Sequence, residues 1–475
     1  MSETIQIDIV VIGAGPGGYA AAFYAADKER KVILIERDQR LGGVCLNCGC
    51  IPSKALLHAT HLISAARDSA KRGIAFDSPK IEVEKLRAWK DSILSKLGQG
   101  ISGLAQRRGV QVMHGNAGFM DSKTLRVVCA DGEKIIQFGK AIIATGSQAV
   151  MPKAFDIGSS RVMTSKEALD LEEIPKSLLV VGGGYIGMEL GTVYAPLGSQ
   201  VVVVEALDAI MNGADADLVR PVARHVEKLF KEIRLKTRVV SLAAQGDQVQ
   251  VVTETDGQRK EESFDRVLVS VGRAPNCKDL GLEKTNVQRD GKGFIQVDSR
   301  QETSDSNIFA IGDVTGGAML AHKAAKEARV AIEVILGEPS AFENVVIPAV
   351  VFTDPEVAWC GLTETEAKAK GIAIEVVRFP WGASGRAMTM DRTEGVTKLI
   401  LEPKTERVLG VGITGVNAGE LISEGVLALQ MGATAKDIAK AMHPHPTLSE
   451  TLMECAELFY GHATHAFVRK KPAHA

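Results

Sequence analysis

The sequence predicts an α/β protein with two Rossmann-like dinucleotide-binding domains, the second inserted into the first, followed by a C-terminal α+β domain. Three observations predict this fold class. Two stretches of the chain repeat one plan of strand, glycine turn, helix, strand and acid. The 475 residues exceed the size at which a single core keeps growing, so two to four domains are expected. From about Pro348 onward the glycine-turn plan does not recur.

The first unit opens the chain. An apolar run over residues 7–12 predicts a strand, and the second strand of the unit ends at Glu36. Between them lies a GxGxxG turn made of Gly13, Gly15 and Gly18. The first glycine of such a turn permits the tight bend, the second lets the backbone approach a pyrophosphate, and the third lets the helix pack on the strand.

The second unit repeats this plan in the middle of the chain. A strand over residues 178–181 leads into Gly182, Gly184 and Gly187, and the unit ends at Glu205. Two complete units predict two bound dinucleotides, each with its phosphates at the amino end of a helix. The terminal acid should accept from ribose hydroxyls, and a carboxylate there repels a 2′-phosphate. The second site is therefore predicted to take NAD rather than NADP.

The domain boundaries are predicted from the segments that leave and re-enter the first domain. Residues 141–145 read as a strand ending in a turn at Gly146, and residues 267–271 with Gly272 look like its counterpart. The predicted ranges are a first dinucleotide-binding domain over 1–147, a second over 148–273, the continuation of the first over 274–346 and a C-terminal domain over 347–475.

An apolar strand over residues 307–314 should deliver Asp313 at its carboxyl end. Ligands bind at that end of the strands in open α/β sheets, so Asp313 is a candidate cofactor contact. The alternative is that its carboxylate caps the following helix.

Thiols crowd the stretch after the first unit. Residues 42–54 contain Cys45, Cys48 and Cys50, and their place beside a bound dinucleotide favours a redox enzyme. A disulfide needs Cα atoms roughly 4.4 to 6.8 Å apart. Cys45 and Cys48 would fit one regular helical turn, whereas Cys45 and Cys50 on a straight helix would lie about 8 to 9 Å apart. The latter pair needs a distorted turn, which Gly49 could supply before a new helical start marked by Pro52, so the spacing leaves the pairing open.

Composition and charge exclude several other classes of protein. The formal net charge of −2 gives no electrostatic footprint for nucleic acid or an anionic membrane. No apolar run approaches the roughly 18 residues of a membrane span, and no basic, apolar leader precedes the first strand, so a cytoplasmic location is expected. Zinc is the rival for the thiol cluster. A zinc site would need a second Cys or His pair at ligand spacing near this cluster, and the sequence offers none, since His58 and His61 stand alone on a predicted helix surface.

A second chemically suggestive segment lies near the C-terminus. His445 is flanked by prolines that restrict its backbone, and Thr447 to Glu450 has the spacing of a capping box. Oxidising a dithiol at neutral pH needs a base with a pKa near 7, which histidine supplies. The alternative is that Glu450 only caps its helix and that the histidine is a surface residue.

The residues Cys45-Leu-Asn-x-Gly-Cys50-Ile-Pro-Ser-Lys54 are similar to the redox-disulfide signature of the pyridine nucleotide-disulfide oxidoreductases, above all to the branch that oxidises dihydrolipoamide. The resemblance implies that Cys45 pairs with Cys50, with Cys45 facing the substrate and Cys50 beside the flavin of FAD. Cys48 and Val44 depart from the usual residues of this signature.

The same resemblance implies roles for residues that the motifs alone do not assign. Asp313 would bind the ribityl chain of FAD, the helix start containing Met319 and Ala321 would lie at the flavin edge, and Lys54 would pair with Glu189 near the flavin. No metal is expected.

The C-terminal segment is likewise similar to the histidine segment of this family, with Pro444 as a departure. The resemblance implies that His445 is the base, that Glu450 orients it, and that each histidine serves the partner subunit of a homodimer. Electrons would pass from dihydrolipoamide through the Cys45–Cys50 disulfide and FAD to NAD. The expected partners are the lipoyl domains and acyltransferase core of a 2-oxo acid dehydrogenase or glycine cleavage complex.

Two other functions are weighed against this one. The first is another FAD- and NAD(P)H-dependent disulfide reductase. Glu205 and Gly187 disfavour glutathione reductase, and a tail over 467–475 without paired cysteines disfavours mercuric reductase and the large thioredoxin reductases. The second is a non-catalytic docking subunit, which the complete set of Cys45, Cys50, His445 and Glu450 argues against.

Overall fold

A computed structural model describes residues 4–467. The C-terminal residues 468–475, which include the basic segment 469–471 and most of the cysteine-free tail 467–475, lie outside the described residues.

The first part of the chain alternates strands and helices, and then forms an antiparallel meander. Its elements are β1 (Thr4–Ile12), α1 (Pro16–Asp27), β2 (Val32–Glu36), α2 (Gly43–Cys48), α3 (Cys50–Ser69), α4 (Val83–Arg107), β3 (Gln111–Asp121), β4 (Thr124–Cys129) and β5 (Gly132–Ile143).

The parallel core of this sheet determines where the first glycine turn lies. Strand β1 pairs in parallel with β2 on one side and with β5 on the other. Ile12 lies opposite both Ile35 and Ile143, so all three strands end at one edge of the sheet. The buried apolar residues of β1 and β2 pack between α1 on one face and the meander on the other. Glu36 and the turn at Gly13 are therefore neighbours, as the sequence predicts.

The middle of the chain forms a second sheet, a three-stranded meander and a small ribbon. Its elements are β6 (Ser147–Ala149), β7 (Val162–Met163), α5 (Ser165–Asp170), β8 (Ser177–Val181), α6 (Tyr185–Leu197), β9 (Gln200–Val204), α7 (Ala216–Leu229), β10 (Glu232–Arg234), β11 (Thr237–Gln245), β12 (Gln248–Thr255), β13 (Gln258–Phe264), β14 (Arg266–Val269) and β15 (Arg273–Pro275).

The second sheet has the strand order β10-β9-β8-β14-β7, and all its pairs are parallel. Val181 lies opposite Val204 and Val269, which brings the second glycine turn and Glu205 to one edge. Strands β6 and β15 pair with each other, so the chain segments that enter and leave this region run side by side.

The rest of the chain adds one strand and one helix to the first sheet and then builds a C-terminal sheet. Its elements are β16 (Ile308–Ala310), α8 (Ala321–Ile335), β17 (Ala349–Val351), β18 (Glu356–Gly361), α9 (Glu364–Lys370), β19 (Glu375–Pro380), α10 (Gly385–Thr389), β20 (Val396–Leu401), β21 (Val408–Gly415), α11 (Ala418–Met431), α12 (Ala435–Lys440) and α13 (Glu450–Tyr460).

Strand β16 pairs with β5 in parallel and so completes the first sheet. The C-terminal strands form a separate antiparallel sheet in the order β17-β18-β21-β20-β19, covered by α11 and α13. The predicted fold class agrees with this arrangement of a mixed sheet, a parallel sheet and an antiparallel sheet. The predicted domain limits at residues 147, 273 and 346 stay predictions.

Three predicted strands differ in extent. The strand predicted over 141–145 is the end of β5, which begins at Gly132 because it also pairs with β4. The strand predicted over 267–271 ends at Val269. The strand predicted over 307–314 is only β16, because Gly312, at φ 77°, turns the chain into a 3₁₀ turn. Asp313 therefore lies in that turn, just beyond the strand.

Candidate functional site

The first glycine turn is closed by contacts that only glycine allows. A Cβ on Gly18 would lie 1.7 Å from the carbonyl oxygen of Gly13, and Gly13 itself has a φ of 98°. The carboxylate of Glu36 accepts from the amide of Ala14 at 2.8 Å through one oxygen and from the amide of Asp38 at 3.1 Å through the other. Glu36 thus ties the turn to the end of β2, and each oxygen keeps a lone pair for a ribose hydroxyl.

The second glycine turn has the same construction. A Cβ on Gly187 would lie 2.1 Å from the carbonyl oxygen of Gly182, whose φ is 105°. Glu205 accepts from the amides of Gly183 at 2.7 Å and Leu207 at 2.8 Å. Around the position of a Cβ on Gly184 no heavy atom of the described chain lies within 4 Å, which leaves room for a ligand to approach the backbone.

Both turns open into one cavity of about 1620 Å³. Single small-molecule pockets commonly measure about 300 to 1,000 Å³, so this volume suits two large ligands. The lining includes most of the predicted site residues: Gly13, Gly15, Glu36, Cys45, Cys50, Lys54, Gly146, Gly182, Gly184, Glu189, Glu205, Gly272, Asp313, Met319 and Ala321. Gly18 and Gly187 instead pack behind their turns, in the helix-packing position predicted for a third glycine.

These residues fit a flavin dinucleotide in the first unit and a nicotinamide dinucleotide in the second. Each turn offers the amino end of a helix to a pyrophosphate, α1 from Pro16 and α6 from Tyr185. Glu36 and Glu205 could each accept from a ribose hydroxyl. Asp313, Met319 and Ala321 line the same cavity as the thiols.

The thiols stand on a broken helix. Helix α2 ends at Cys48 and α3 begins at Cys50, because Gly49 takes φ −145° and ψ −114°. A Cβ on Gly49 would approach the carbonyl oxygen of Val44 to 2.9 Å, so the chain folds back tightly there. The distortion that the sequence predicts at Gly49 is confirmed.

Cys45 and Cys50 flank the break at Gly49, and each thiol influences the ionisation of the other. Hydrogen bonding from the Cys45 thiol, followed by the positive charge of Lys54, lowers the pKa of Cys50 to about 7, although burial opposes the shift. The same hydrogen bond and burial raise the pKa of Cys45. Cys50 is therefore the thiol that holds a negative charge most readily.

Cys48 has different surroundings. It lines the same cavity, but its charged neighbours are Lys166, Arg273, Asp170 and Asp38. Burial is the largest influence on this thiol and raises its pKa, so Cys48 favours the neutral form.

Lys54 lies one turn into α3 and points toward α6. Its ammonium is 2.7 Å from a carboxylate oxygen of Glu189, the pair that the resemblance implies. The other oxygen of Glu189 accepts from the amide of Phe352 at 2.9 Å. The Lys54 ammonium also lies 4.5 Å from the centre of the Phe352 ring.

Asp313 is held by a short polar chain that sequence reasoning missed. The Ser147 hydroxyl donates to the Asp313 carboxylate at 2.5 Å. Arg273 donates to the Ser147 hydroxyl at 2.7 Å and to its carbonyl oxygen at 2.8 Å. Ser147 lies on β6 and Arg273 on β15, the two strands that join the first and second regions, so Asp313 is linked to both strands. In the sequence, the only sign of this link is that a serine directly follows Gly146 and an arginine directly follows Gly272.

Tyr185 is a second residue that the sequence reasoning passed over. It lies inside the second glycine turn, lines the cavity, and has Arg273, Asp313 and Cys50 among its charged neighbours. The sequence signal was an aromatic residue directly after Gly184 in the second glycine turn.

His445 and Glu450 form a pair of their own. The Nδ1 atom of His445 is 2.9 Å from a carboxylate oxygen of Glu450, and the imidazole side chain is 71% exposed. Partial burial opposes ionisation of Glu450, but the Thr447 amide and His445 together lower its pKa. With Nδ1 donating to this carboxylate, Nε2 is free to accept a proton. The pair is not among the residues that line the large cavity.

The predicted capping box at Thr447 and Glu450 is wrong in one half. Glu450 does accept from the Thr447 amide at 2.6 Å. The Thr447 hydroxyl, however, donates to the carbonyl oxygen of Pro444, and α13 begins at Glu450 itself. Glu450 is thus the first helical residue, and its carboxylate turns back toward the histidine loop.

His58 and His61 lie on the exposed side of α3, as predicted, and His61 pairs with Asp354 at 3.4 Å. Within residues 4–467, one group of three potential metal-ligand atoms lies within 4.8 Å, namely those of Asp215, Asp217 and Glu364. The Lys398 ammonium bonds to all three carboxylates, at 2.6 to 2.9 Å, so a protein cation already occupies that centre.

No helix within residues 4–467 combines the length and the apolar character needed to cross a membrane.

Comparison with protein families gives two matches that together cover most of the chain. Residues 7–328 match the pyridine nucleotide-disulphide oxidoreductase model, and residues 347–456 match the dimerisation domain of the same family. A dihydrolipoyl dehydrogenase from Haemophilus influenzae is 46% identical, with 98% of this chain and 97% of that protein covered. One from Geobacillus stearothermophilus is 43% identical, with 98% of both covered.

Solved structures give the same result for the fold. LpdA from Mycobacterium tuberculosis superposes with a TM-score of 0.88 at 29% identity, covering 95% of this chain and all of that one. The HOCl-induced flavoprotein disulfide reductase RclA from Escherichia coli superposes with a TM-score of 0.85 at 30% identity, covering 95% of this chain and 99% of that one.

Proposed function

The chain belongs to the pyridine nucleotide-disulphide oxidoreductase family and is an FAD- and NAD-dependent oxidoreductase, and from this premise we propose that it oxidises dihydrolipoyl groups. The observation that carries the proposal is that two dinucleotide sites and the Cys45, Cys50 pair line one continuous cavity. The names of the relatives, which match over almost their whole length, support the choice of substrate.

We propose that Cys45 and Cys50 form the disulfide that accepts electrons. A substrate thiolate attacks the Cys45 sulfur, the Cys45–Cys50 bond breaks, and Cys50 leaves as a thiolate. The second substrate thiol, once deprotonated, then attacks the substrate sulfur bound to Cys45. This step forms the substrate disulfide and releases Cys45 as a thiolate, which takes up the proton that the second substrate thiol has lost. The lowered pKa of Cys50 supports its role as leaving group, because a thiol of low pKa leaves faster. When bound, FAD would relay the electron pair from this dithiol to NAD.

His445 is the proposed base for the substrate thiols. Its Nε2 atom accepts the proton, while Glu450 holds Nδ1 and stabilises the imidazolium that results. The pair lies outside the cavity that contains Cys45 of the same chain, which supports service to a second subunit. A family dimerisation domain over residues 347–456 supports the homodimer that this requires.

The C-terminal domain also exposes apolar side chains that a dimer contact would cover. Leu427 is 62% exposed, Met431 76% and Met442 97%.

We place the dihydrolipoyl groups on the lipoyl domains of a 2-oxo acid dehydrogenase or glycine cleavage complex. We place the enzyme in the cytoplasm, whose reducing conditions suit the unpaired thiols outside the redox turn.

Subunit complementation tests both the base and its origin. His445→Gln should lower dihydrolipoamide oxidation by about 10²- to 10⁴-fold while FAD content stays unchanged. Cys45→Ser should be inactive as well. When the two inactive proteins are mixed under conditions of subunit exchange, activity should return, since one of the two sites then combines Cys45 with His445 of the partner subunit.

The matched control is His443→Gln, which changes a histidine two residues away whose ring nitrogens already face Ala441 and Glu424. It should retain most of the activity. An unchanged rate in His445→Gln would remove this residue from the mechanism. Mixed dimers that stay inactive would show that the histidine acts within its own chain.

A further inference from the structure

The segment between β17 and β18 contacts α3, the helix that begins at Cys50, at two points. Phe352 touches Lys54, and Asp354 pairs with His61. Lys54 and His61 are seven residues apart on α3 and therefore lie on one face of it. The C-terminal domain thus holds the helix that begins at Cys50 through one short segment, whose function the reaction described above does not explain.

The first contact surrounds the Lys54 ammonium. Glu189, whose side chain is only 6% exposed, bonds to Lys54 through one oxygen at 2.7 Å and to the Phe352 amide through the other at 2.9 Å. The Phe352 ring faces the same ammonium at 4.5 Å, inside the roughly 6 Å range of a cation–π contact. The ammonium is consequently held between a carboxylate and an aromatic face.

This placement matters for Cys50. A lysine side chain is long and flexible, so its charge acts at a defined distance only if neighbours restrict it. Lys54 is one helical turn from Cys50, and its charge favours the Cys50 thiolate. The other ionisable groups around this thiol are Cys45, Glu189, Tyr19 and Tyr185, and Glu189 opposes the thiolate. A Lys54 that moved away would leave the Cys50 thiolate near the Glu189 carboxylate without that cation to offset it.

The second contact supplies a comparison within the same segment. Asp354 is held by His61 at 3.4 Å and by Arg392, and His225 is a further charged neighbour. This contact reaches α3 at His61, about two helical turns from Lys54. Losing this contact should loosen the attachment of the domain without altering the charge near Cys50.

We propose that Phe352 is a positioning residue for the redox centre: its ring and its amide hold the Lys54–Glu189 pair so that the ammonium stabilises the Cys50 thiolate. This inference rests on the proposed function, because it assigns a role to Phe352 in the same thiol relay. It makes the C-terminal domain a direct contributor to the chemistry of its own subunit, in addition to any contribution to the partner.

The test follows the thiolate spectroscopically. The FAD-loaded enzyme is reduced anaerobically with dihydrolipoamide, and the long-wavelength thiolate-to-flavin absorbance is recorded as the pH is lowered. Phe352→Leu keeps the amide but removes the aromatic face, so the pH at which half of the band is lost should rise by about 0.5 to 1 unit. Phe352→Tyr, which restores the ring, should titrate as the wild type does.

Asp354→Asn is the matched control, expected to lower the thermal midpoint and to leave the titration unchanged. Equal titrations in Phe352→Leu and the wild type would overturn the inference, and so would an equal shift in Asp354→Asn, since general loosening would then explain both. If Phe352→Leu does not bind FAD, Phe352→Met serves in its place. A wild type that binds FAD but gives no band would overturn the relay, and with it this role of Phe352.

Discussion

The two dinucleotide-binding units have the same turn but different surroundings. In both, a buried glutamate at the end of the second strand accepts from an amide of the glycine turn, at 2.8 Å in the first unit and 2.7 Å in the second. In both, the third glycine packs against the carbonyl of the first. The local sequence pattern therefore produces the same local structure twice.

What covers each turn differs. In the first unit the start of α2, the helix that contains Cys45, crosses the turn, so that a Cβ on Gly43 would meet the Cα of Gly15 at 2.6 Å. Helix α8 covers the other side, with the Ala324 side chain 3.1 Å from a Cβ on Gly17. In the second unit, Gly184 meets no described heavy atom within 4 Å, and Leu207 beyond Glu205 is 55% exposed.

We expect this difference to separate two kinds of ligand. A dinucleotide on the first turn would lie beneath a helix and beside the thiols, as a permanently bound cofactor should. One on the second turn would lie at an open edge, as a substrate that must enter and leave in every cycle should. The same motif would thus serve a resident cofactor and an exchanging one, and the covering elements would make the distinction.

The largest expected effect comes from closing each turn with a methyl group. Gly18→Ala puts a Cβ 1.7 Å from a backbone oxygen, so the protein should be isolated without bound flavin. Gly187→Ala creates the equivalent clash at 2.1 Å in the other unit, and should keep the flavin while lowering kcat/KM for NAD by about 10- to 100-fold. Flavin absorbance after gel filtration and NAD kinetics measure the two outcomes.

Gly103→Ala is the control, because a Cβ at this helical glycine meets nothing within 4 Å. It should leave flavin content and NAD kinetics unchanged. Loss of flavin from Gly187→Ala would contradict the separation of the two sites.

A smaller effect should follow from neutralising the two acids. Glu205→Gln keeps the shape of the side chain but removes the charge that repels a 2′-phosphate, so the preference for NAD over NADP should fall by about 10- to 100-fold. Glu36→Gln should leave that preference unchanged and weaken flavin retention instead. The ratio of kcat/KM values for the two nucleotides is the measurement, and an unaltered ratio in Glu205→Gln would remove the role assigned to it.

The smallest effect concerns pH. The pKa of Cys50 is lowered to about 7, so its thiolate persists above that pH and is lost as the pH falls through it. The thiolate-to-flavin band of the reduced enzyme should therefore be half lost near pH 7. Because the thiols lie beside the first turn, Gly187→Ala should leave this midpoint in place. A shift of this pH midpoint in Gly187→Ala would show that the second turn influences the thiols, which the structure places beside the first turn.

Local patterns predicted much of this fold and site. The end of β2 at Glu36, the position of Glu205 directly after β9 and the break at Gly49 follow from short-range sterics, which local sequence patterns indicate. The residues predicted to bind the cofactors line one cavity, because the parallel strands of each sheet bring their carboxyl ends to one edge.

Other features depend on contacts between distant parts of the chain. The Ser147–Arg273 link to Asp313 requires knowing that β6 and β15 pair. The contact between Phe352 and Lys54 requires knowing where the C-terminal domain packs. The capping-box prediction failed at Thr447 because the loop around Pro444 offers its hydroxyl a different acceptor. The position of His445 outside the cavity was expected only from the family resemblance.

The most direct test is a two-step anaerobic reduction of the purified enzyme after gel filtration. The protein should retain flavin but no nicotinamide, and dihydrolipoamide should produce a long-wavelength thiolate-to-flavin band. Added NAD should then abolish the band and yield an equivalent of NADH, whereas NADP should not. A flavin that ignores dihydrolipoamide yet is reduced by NADH would contradict the proposed substrate. Nicotinamide that survives gel filtration would contradict the division between a resident and an exchanging dinucleotide.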